Sequence, residues 1–110
     1  MKKLQVTDQR LEEILVEVKE KLYVTWSEDD VQLKNTILRA CRYIQTKVSQ
    51  SLLFESESLE YDLLLERCRY DWNSALDEFE KNYSSELLAF IQAYALKDWR
   101  ESHGTDQRNL

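Results

Sequence analysis

Proline is absent from these 110 residues, and the one glycine, Gly104, lies six residues from the C-terminal end. Tight turns draw on glycine for left-handed backbone and on proline for a fixed φ, so a sandwich, barrel or doubly wound sheet has almost none of the turn chemistry it needs. Helices joined by short polar segments are what remains. A chain of this length forms one domain that buries roughly 65% of the surface its unfolded form exposes. With 43% apolar and 33% charged residues it lies far from the disordered compositions. The expectation is an all-α single domain, a bundle of about four amphipathic helices over residues 1–100, followed by a loose polar tail, "ESHGTDQRNL", over 101–110.

The first two helices follow from a 3.6-residue period. Leu11, Leu15, Val18 and Leu22, with Ile14, fall within one arc of a helix from about Asp8 to Tyr23, capped by Thr7 or Asp8. In "VTWSEDD" Ser27 is the expected N-cap of the next helix, and Glu28, Asp29 and Asp30 sit at the positive end of its dipole. The acidic triplet lacks the alternating spacing and glycine turn of a calcium loop, so capping explains it better than metal binding. Leu33, Ile37 and Ile44, with Ala40 and Cys41, form the buried stripe of this second helix, which reaches about Val48. "SQSLLFESES" breaks it. The apolar triplet Leu52, Leu53 and Phe54 inside that polar connector either folds over the bundle as a plug or offers a contact to another chain.

A third helix is expected from about Leu59 to Lys81. Tyr61, Leu65, Cys68, Trp72, Ala75 and Phe79 follow one another at heptad spacing and should face the core. On the far side lie Leu59, Leu63 and Tyr70 among Glu66 and Asp77, a mixture of apolar anchors and polar groups that reads as an interface. Trp72, Phe79 and Tyr83 thus share a face, and Tyr70 points away from it. Asn82, Ser84 and Ser85 mark a turn and a new cap. The fourth helix, about Ser85 to Arg100, contains "LLAFIQAYAL", in which Gln92 is the one polar member. Leu88 and Ile91 are expected in the core, and Phe90 and Tyr94 at a surface shared with a second chain, because a helix apolar all round must be covered on every side.

The net charge of −6 is confined to the middle: residues 27–80 carry twelve acidic against six basic groups, whereas the flanking segments balance. Grip on nucleic acid by phosphate neutralisation needs a basic face, so specific nucleic-acid binding is not expected. No stretch reaches the ~20 apolar residues of a membrane span, and acidic residues interrupt "MKKLQVTDQRLEEILVEV" before a signal sequence could form. Cys41 and Cys68 occupy apolar helical positions and are expected as free, buried thiols of a reducing cytosol. His103 is the single histidine. Triad, imidazole acid–base and zinc chemistry therefore lack their parts, and one glycine cannot build a phosphate loop. Neither an enzyme, a metal site nor a cofactor is expected.

The order of elements resembles a known family. "LEEILVEVKEKLYVTWSEDDVQLKNTILRACRYIQTKV" followed by "LLLERCRYDWNSALDEFEKNYSSELLAFI" is similar to the small helical head–tail connector proteins of tailed bacteriophages, also called head-completion or adaptor proteins. Asp30, Leu33, Ile37, Ala40 and Tyr43-Ile44 match the "D..L...I..A..YI" helix, and Leu63 to Tyr83 match "LLL.RC.Y..N.AL..F..NY". The similarity covers about residues 11–95, and its pattern is one of packing, with no catalytic residue. The connector departs from it, with Gln50, Ser51 and the Leu52–Phe54 triplet where relatives often carry glycine and acidic residues. The resemblance implies a homo-oligomeric ring at the head–tail junction of a virion. The ring would dock under the portal protein, bear a tail or stopper protein, and let DNA pass through. The alternative is a small cytosolic helical regulator that binds a protein partner.

Overall fold

The structure, a computed structural model, describes residues 6–108. It is all-helical among them: α1 (Asp8–Leu22), α2 (Asp30–Lys47), α3 (Leu59–Trp72) and α4 (Leu76–Arg108). No helix is long and apolar enough to cross a membrane among the described residues.

Helix ends follow local chemistry. Thr7 caps α1, its Oγ1 accepting from the Arg10 amide at 3.1 Å, and Ser58 caps α3 by accepting from the Tyr61 amide at 3.1 Å. Ser27 does not cap α2. The N-cap is Asp29, which makes no side-chain cap bond, because the indole of Trp26 donates to its carboxylate at 2.7 Å. Asp30 is likewise engaged, by Lys19 at 2.7 Å, so the acidic triplet ties α1 to α2 as well as facing a dipole.

The largest departure from the sequence reading is the boundary between the third and fourth helices. α3 stops at Trp72, and α4 runs unbroken through Asn82, Ser84 and Ser85. At the real break Ser74 is left-handed (φ 58°), its amide donates to the Asp71 carbonyl at 3.0 Å, and the Ala75 amide donates to the Tyr70 carbonyl at 2.8 Å. This is a Schellman stop with serine where glycine is usual. Asn73 adds a bond from its carboxamide to the Arg69 carbonyl at 2.9 Å. Tyr23 ends α1 in the same way (φ 59°), its amide bonding Glu20 and the Val24 amide bonding Lys19. A chain without usable glycine places ordinary side chains in left-handed backbone, at about 1–2 kcal/mol each.

The core contains Ile14, Leu15 and Val18 of α1, Leu33, Ile37, Ala40, Cys41 and Ile44 of α2, Tyr61, Leu63, Leu64 and Cys68 of α3, and Phe79 and Leu87 of α4. Leu11, Leu22, Leu65 and Trp72 pack against it while half-buried. Trp72, placed by its spacing among the central residues, ends α3 and lines a polar cleft with Arg39 and Asp71. Leu88 is exposed, Ile91 is half-buried, and Leu87 takes the buried position, because α4 starts earlier and its phase differs from the expected one. The connector between α2 and α3 is part of the core: Leu52 is 2% and Phe54 0% exposed, and the buried Gln45 side chain donates to the Leu52 carbonyl at 3.0 Å. Both are therefore plug residues and not a surface for a second chain, whereas Leu53 between them points to solvent.

α3 and α4 form an antiparallel hairpin: the Tyr83 hydroxyl donates to Glu66 at 3.2 Å and the Tyr94 hydroxyl to Glu60 at 3.0 Å. With 33 residues α4 is about 50 Å long, and it passes the start of α3 to reach the connector, where the Ser49 hydroxyl donates to Asp98 at 3.1 Å. The molecule measures 58 × 31 × 27 Å as a result.

Candidate interaction surfaces

Four tyrosines tie the helices together, each with a ring packed in the bundle and a hydroxyl on a carboxylate. Tyr61 donates to Glu17 of α1, Tyr43 to Glu80 of α4, and Tyr83 and Tyr94 to glutamates of α3. Burial first, then the neighbouring carboxylate, pushes the phenols of Tyr43, Tyr83 and Tyr94 up to about 12, and that of Tyr61 upward as well. A phenol that donates a hydrogen bond to a glutamate resists losing its proton.

Tyr70 belongs to this internal set, a correction to the outward orientation read from the sequence. The stop at residues 73–75 turns α4 back on α3, so Tyr70 packs edge-on against Phe79 at 5.6 Å and Tyr83 at 5.8 Å. Its hydroxyl accepts from Asn82 at 3.1 Å. Phe79 and Tyr83 stack at 4.9 Å, and Tyr43 meets Phe79 edge-on at 6.5 Å. Arg67 lies over the Tyr43 ring at 3.4 Å and bonds Glu80 at 3.0 Å. This cation inside an aromatic cluster holds α2, α3 and α4 together.

Glu66 also faces inward. It binds Lys21 of α1 at 2.6 Å and Arg69 at 2.7 Å. Partial burial pushes its carboxyl up, but the bonds from Arg69 and Lys21 outweigh that and hold it below the usual range. Leu63 is buried at 4% exposure. Of the far-side residues of α3, Leu59 alone is fully open, at 71%; Asp77 is exposed on the first turn of α4.

Two recessed surfaces that carry apolar anchors have no residue in common. A groove of about 340 Å³ between α3 and α4 is lined by Leu59, Leu63 and Phe90 among Asp62, Glu66, Tyr83 and Glu86. Beside it Tyr94 lines a smaller cleft with Leu53 and Lys97. The sequence reading missed the other surface, a hollow of about 490 Å³ at the end of α1 lined by Val16, Tyr23 and Val24 with Lys19 and Glu20. Tyr23 is 87% exposed, and Trp26 and Val31 nearby are open too. Val16 lying off the apolar arc of α1, and two aromatics in a seven-residue turn, were the available signals. Burial disfavours the thiolate of both cysteines, pushing Cys41 up to about 12 and Cys68 upward as well. Among the described residues no group of His, Cys, Asp and Glu has metal-binding geometry. Set against protein-family models, curated proteins and solved structures, the chain matches none of them.

Proposed function

We propose that this chain is a structural virion protein of the head–tail connector kind, with neither a catalytic step nor a cofactor. Identical copies form a ring beneath a phage portal vertex, and the ring bears a tail or stopper protein. The observation that carries this reading is the pair of unlike surfaces, the apolar α1 hollow around Tyr23 and the mixed α3–α4 groove around Leu59 and Phe90. A head-to-tail ring joins two different surfaces of neighbouring copies, and closure uses both on every subunit. The groove has the composition of a protein interface, apolar anchors rimmed by carboxylates. The acidic excess is consistent with a passage that does not grip DNA. Assembly takes place in the bacterial cytoplasm, and the finished ring belongs to the virion.

The test is co-expression with the portal protein of the same phage genome, followed by native mass spectrometry and electron microscopy. A ring of many copies on the portal is expected. Leu59→Asp and Tyr23→Asn, the latter because asparagine accepts left-handed backbone, should each prevent ring closure while the circular dichroism of the free chain stays the same. A chain that remains monomeric or dimeric beside its portal overturns the reading.

A further inference from the structure

α4 meets the bundle with Phe79, Tyr83, Leu87, Phe90 and Tyr94, and its opposite face is open. On that face Leu88 is 54% and Leu96 49% exposed, with Ser85, Ala89, Gln92 and Ala95 exposed around them. No charged residue occurs from Leu87 to Leu96, although solvated helix faces are normally charged. The residues are also arranged symmetrically about Gln92. Ala89 and Ala95 lie three positions to either side, Leu88 and Leu96 four, and Ser85 and Trp99 seven. When such a helix lies antiparallel on an identical one, each position meets its mirror position. Leu88 then covers Leu96, Ala89 adjoins Ala95, and small Ser85 stands beside the wide ring of Trp99. The two Gln92 carboxamides, each with donors and an acceptor, meet on the axis.

The charges that bracket the stripe agree with this register. Glu86 and Arg100 are exposed and sit on the same flank, within about 40° of each other around the helix. An antiparallel two-fold keeps like flanks together, so each Arg100 lies within about 3 Å, along the helix axis, of the level of Glu86 of the other copy. We propose that a second copy of the chain covers this face in the free protein, through an antiparallel α4–α4 pair centred on Gln92 and bracketed by two Glu86–Arg100 ion pairs. The pair closes on itself and makes a dimer, so it stands or falls separately from the ring. A contact about four turns long is at the small end of specific interfaces, under about 1,200 Å² in total, so the dimer is weak and dissociates on dilution.

Sedimentation equilibrium of the full chain tests the pairing. A reversible monomer–dimer equilibrium is expected, and Leu88→Asp should weaken it about thirtyfold or more with unchanged circular dichroism. Glu86→Arg and Arg100→Glu should each weaken it, and the two together should restore it. Gln92→Cys should give a disulfide-linked dimer on mild oxidation, since Cys41 and Cys68 are buried. Glu78→Cys, whose two copies would lie about 40 Å apart in the pair, should not. A chain monomeric at every concentration overturns the proposal. So does a dimer indifferent to Leu88→Asp, one that Gln92→Cys fails to cross-link, or a double charge reversal that does not restore association.

Discussion

Replacing Phe54 by alanine should remove a fifth or more of the stability of this molecule, although the residue sits in a connector. Its side chain is fully buried. Returning a phenylalanine ring to water forfeits about 1.5–3 kcal/mol, and the hole left in a core that collapses only in part brings the usual total to about 3–5 kcal/mol. A domain of this size has about 5–15 kcal/mol in all. The backbone gives no relief, because Phe54 is left-handed (φ 55°) and alanine keeps that strain. The carbonyl of Phe54, which accepts from Arg10 at 2.6 Å, would remain to hold the connector over an empty site. Urea unfolding followed by tryptophan fluorescence measures the loss, with a fall in Tm of roughly 15 °C as its thermal counterpart. Phe54→Gly should be no worse than alanine, because glycine recovers about 1 kcal/mol of left-handed strain. Leu53→Ala, at a half-exposed neighbour, should stay within about 0.5 kcal/mol. A Phe54→Ala loss below about 1 kcal/mol at unchanged m-value would show that the connector is not part of the core.

Tyr70→Ala should destabilise the isolated chain by about 2–4 kcal/mol, since it removes a ring edge-on to Phe79 and Tyr83 and leaves Asn82 without its acceptor; a chemical-denaturation curve overlying that of the unmodified protein would refute the internal placement. Ser74→Gly should raise stability by about 0.5–1 kcal/mol by relieving the left-handed stop of α3, read as a higher urea midpoint. Cys41 and Cys68 should resist iodoacetamide at neutral pH until denaturant is added, and mass spectrometry of the native protein should show no adduct. The tyrosine phenols are raised above their unfolded value of about 10, so the folded state holds protons that the unfolded state releases. Stability should therefore be complete below pH ~10 and fall as pH rises through about 12, with part of the tyrosinate absorbance delayed to the same interval.

The fold class and the first two helices were legible because Ile14, Val18, Leu33, Ile37 and Ile44 repeat at helical spacing and the chain lacks other turn chemistry. The break between α3 and α4 was not. Its stop is made by Asn73 and Ser74, neither of which announces a helix end as glycine does, while Asn82, Ser84 and Ser85 resemble a cap yet lie on the wet side of a continuous helix. That shift changed the phase of everything after it. Phe79 stayed inside, Leu87 replaced Leu88, and Tyr70 turned from a supposed outward anchor into the partner of Phe79. Glu66 and Leu63 were misplaced for a related reason: helical periodicity gives the angle of a residue on its own helix but not which neighbours pack on its two sides. Lys21 of α1 and Tyr83 of α4 both bond Glu66, so two neighbouring helices cover that side of α3. The α1 hollow around Tyr23 escaped notice because half of its lining comes from a turn, where no period applies, and the other half from the side of α1 outside its apolar arc.

The length of α4 sets a gradient of local opening along one element. Near Phe79 its amides are sealed by the aromatic cluster and should exchange with solvent only when the whole domain unfolds. Further along, the inner face is held by Leu87, Phe90 and Tyr94, then by the bond from Ser49 to Asp98, while Leu88 and Leu96 on the outer face are half-exposed. Protection should thus decline turn by turn from Phe79 toward Trp99, and the helix end should unwind without disturbing the bundle. Any molecule that settles on this helix has to stop that unwinding first, so its affinity will be lower than its contact area suggests. Its footprint will appear as deuterium retained at amides that otherwise exchange early, which locates the contact on α4 before any complex is imaged.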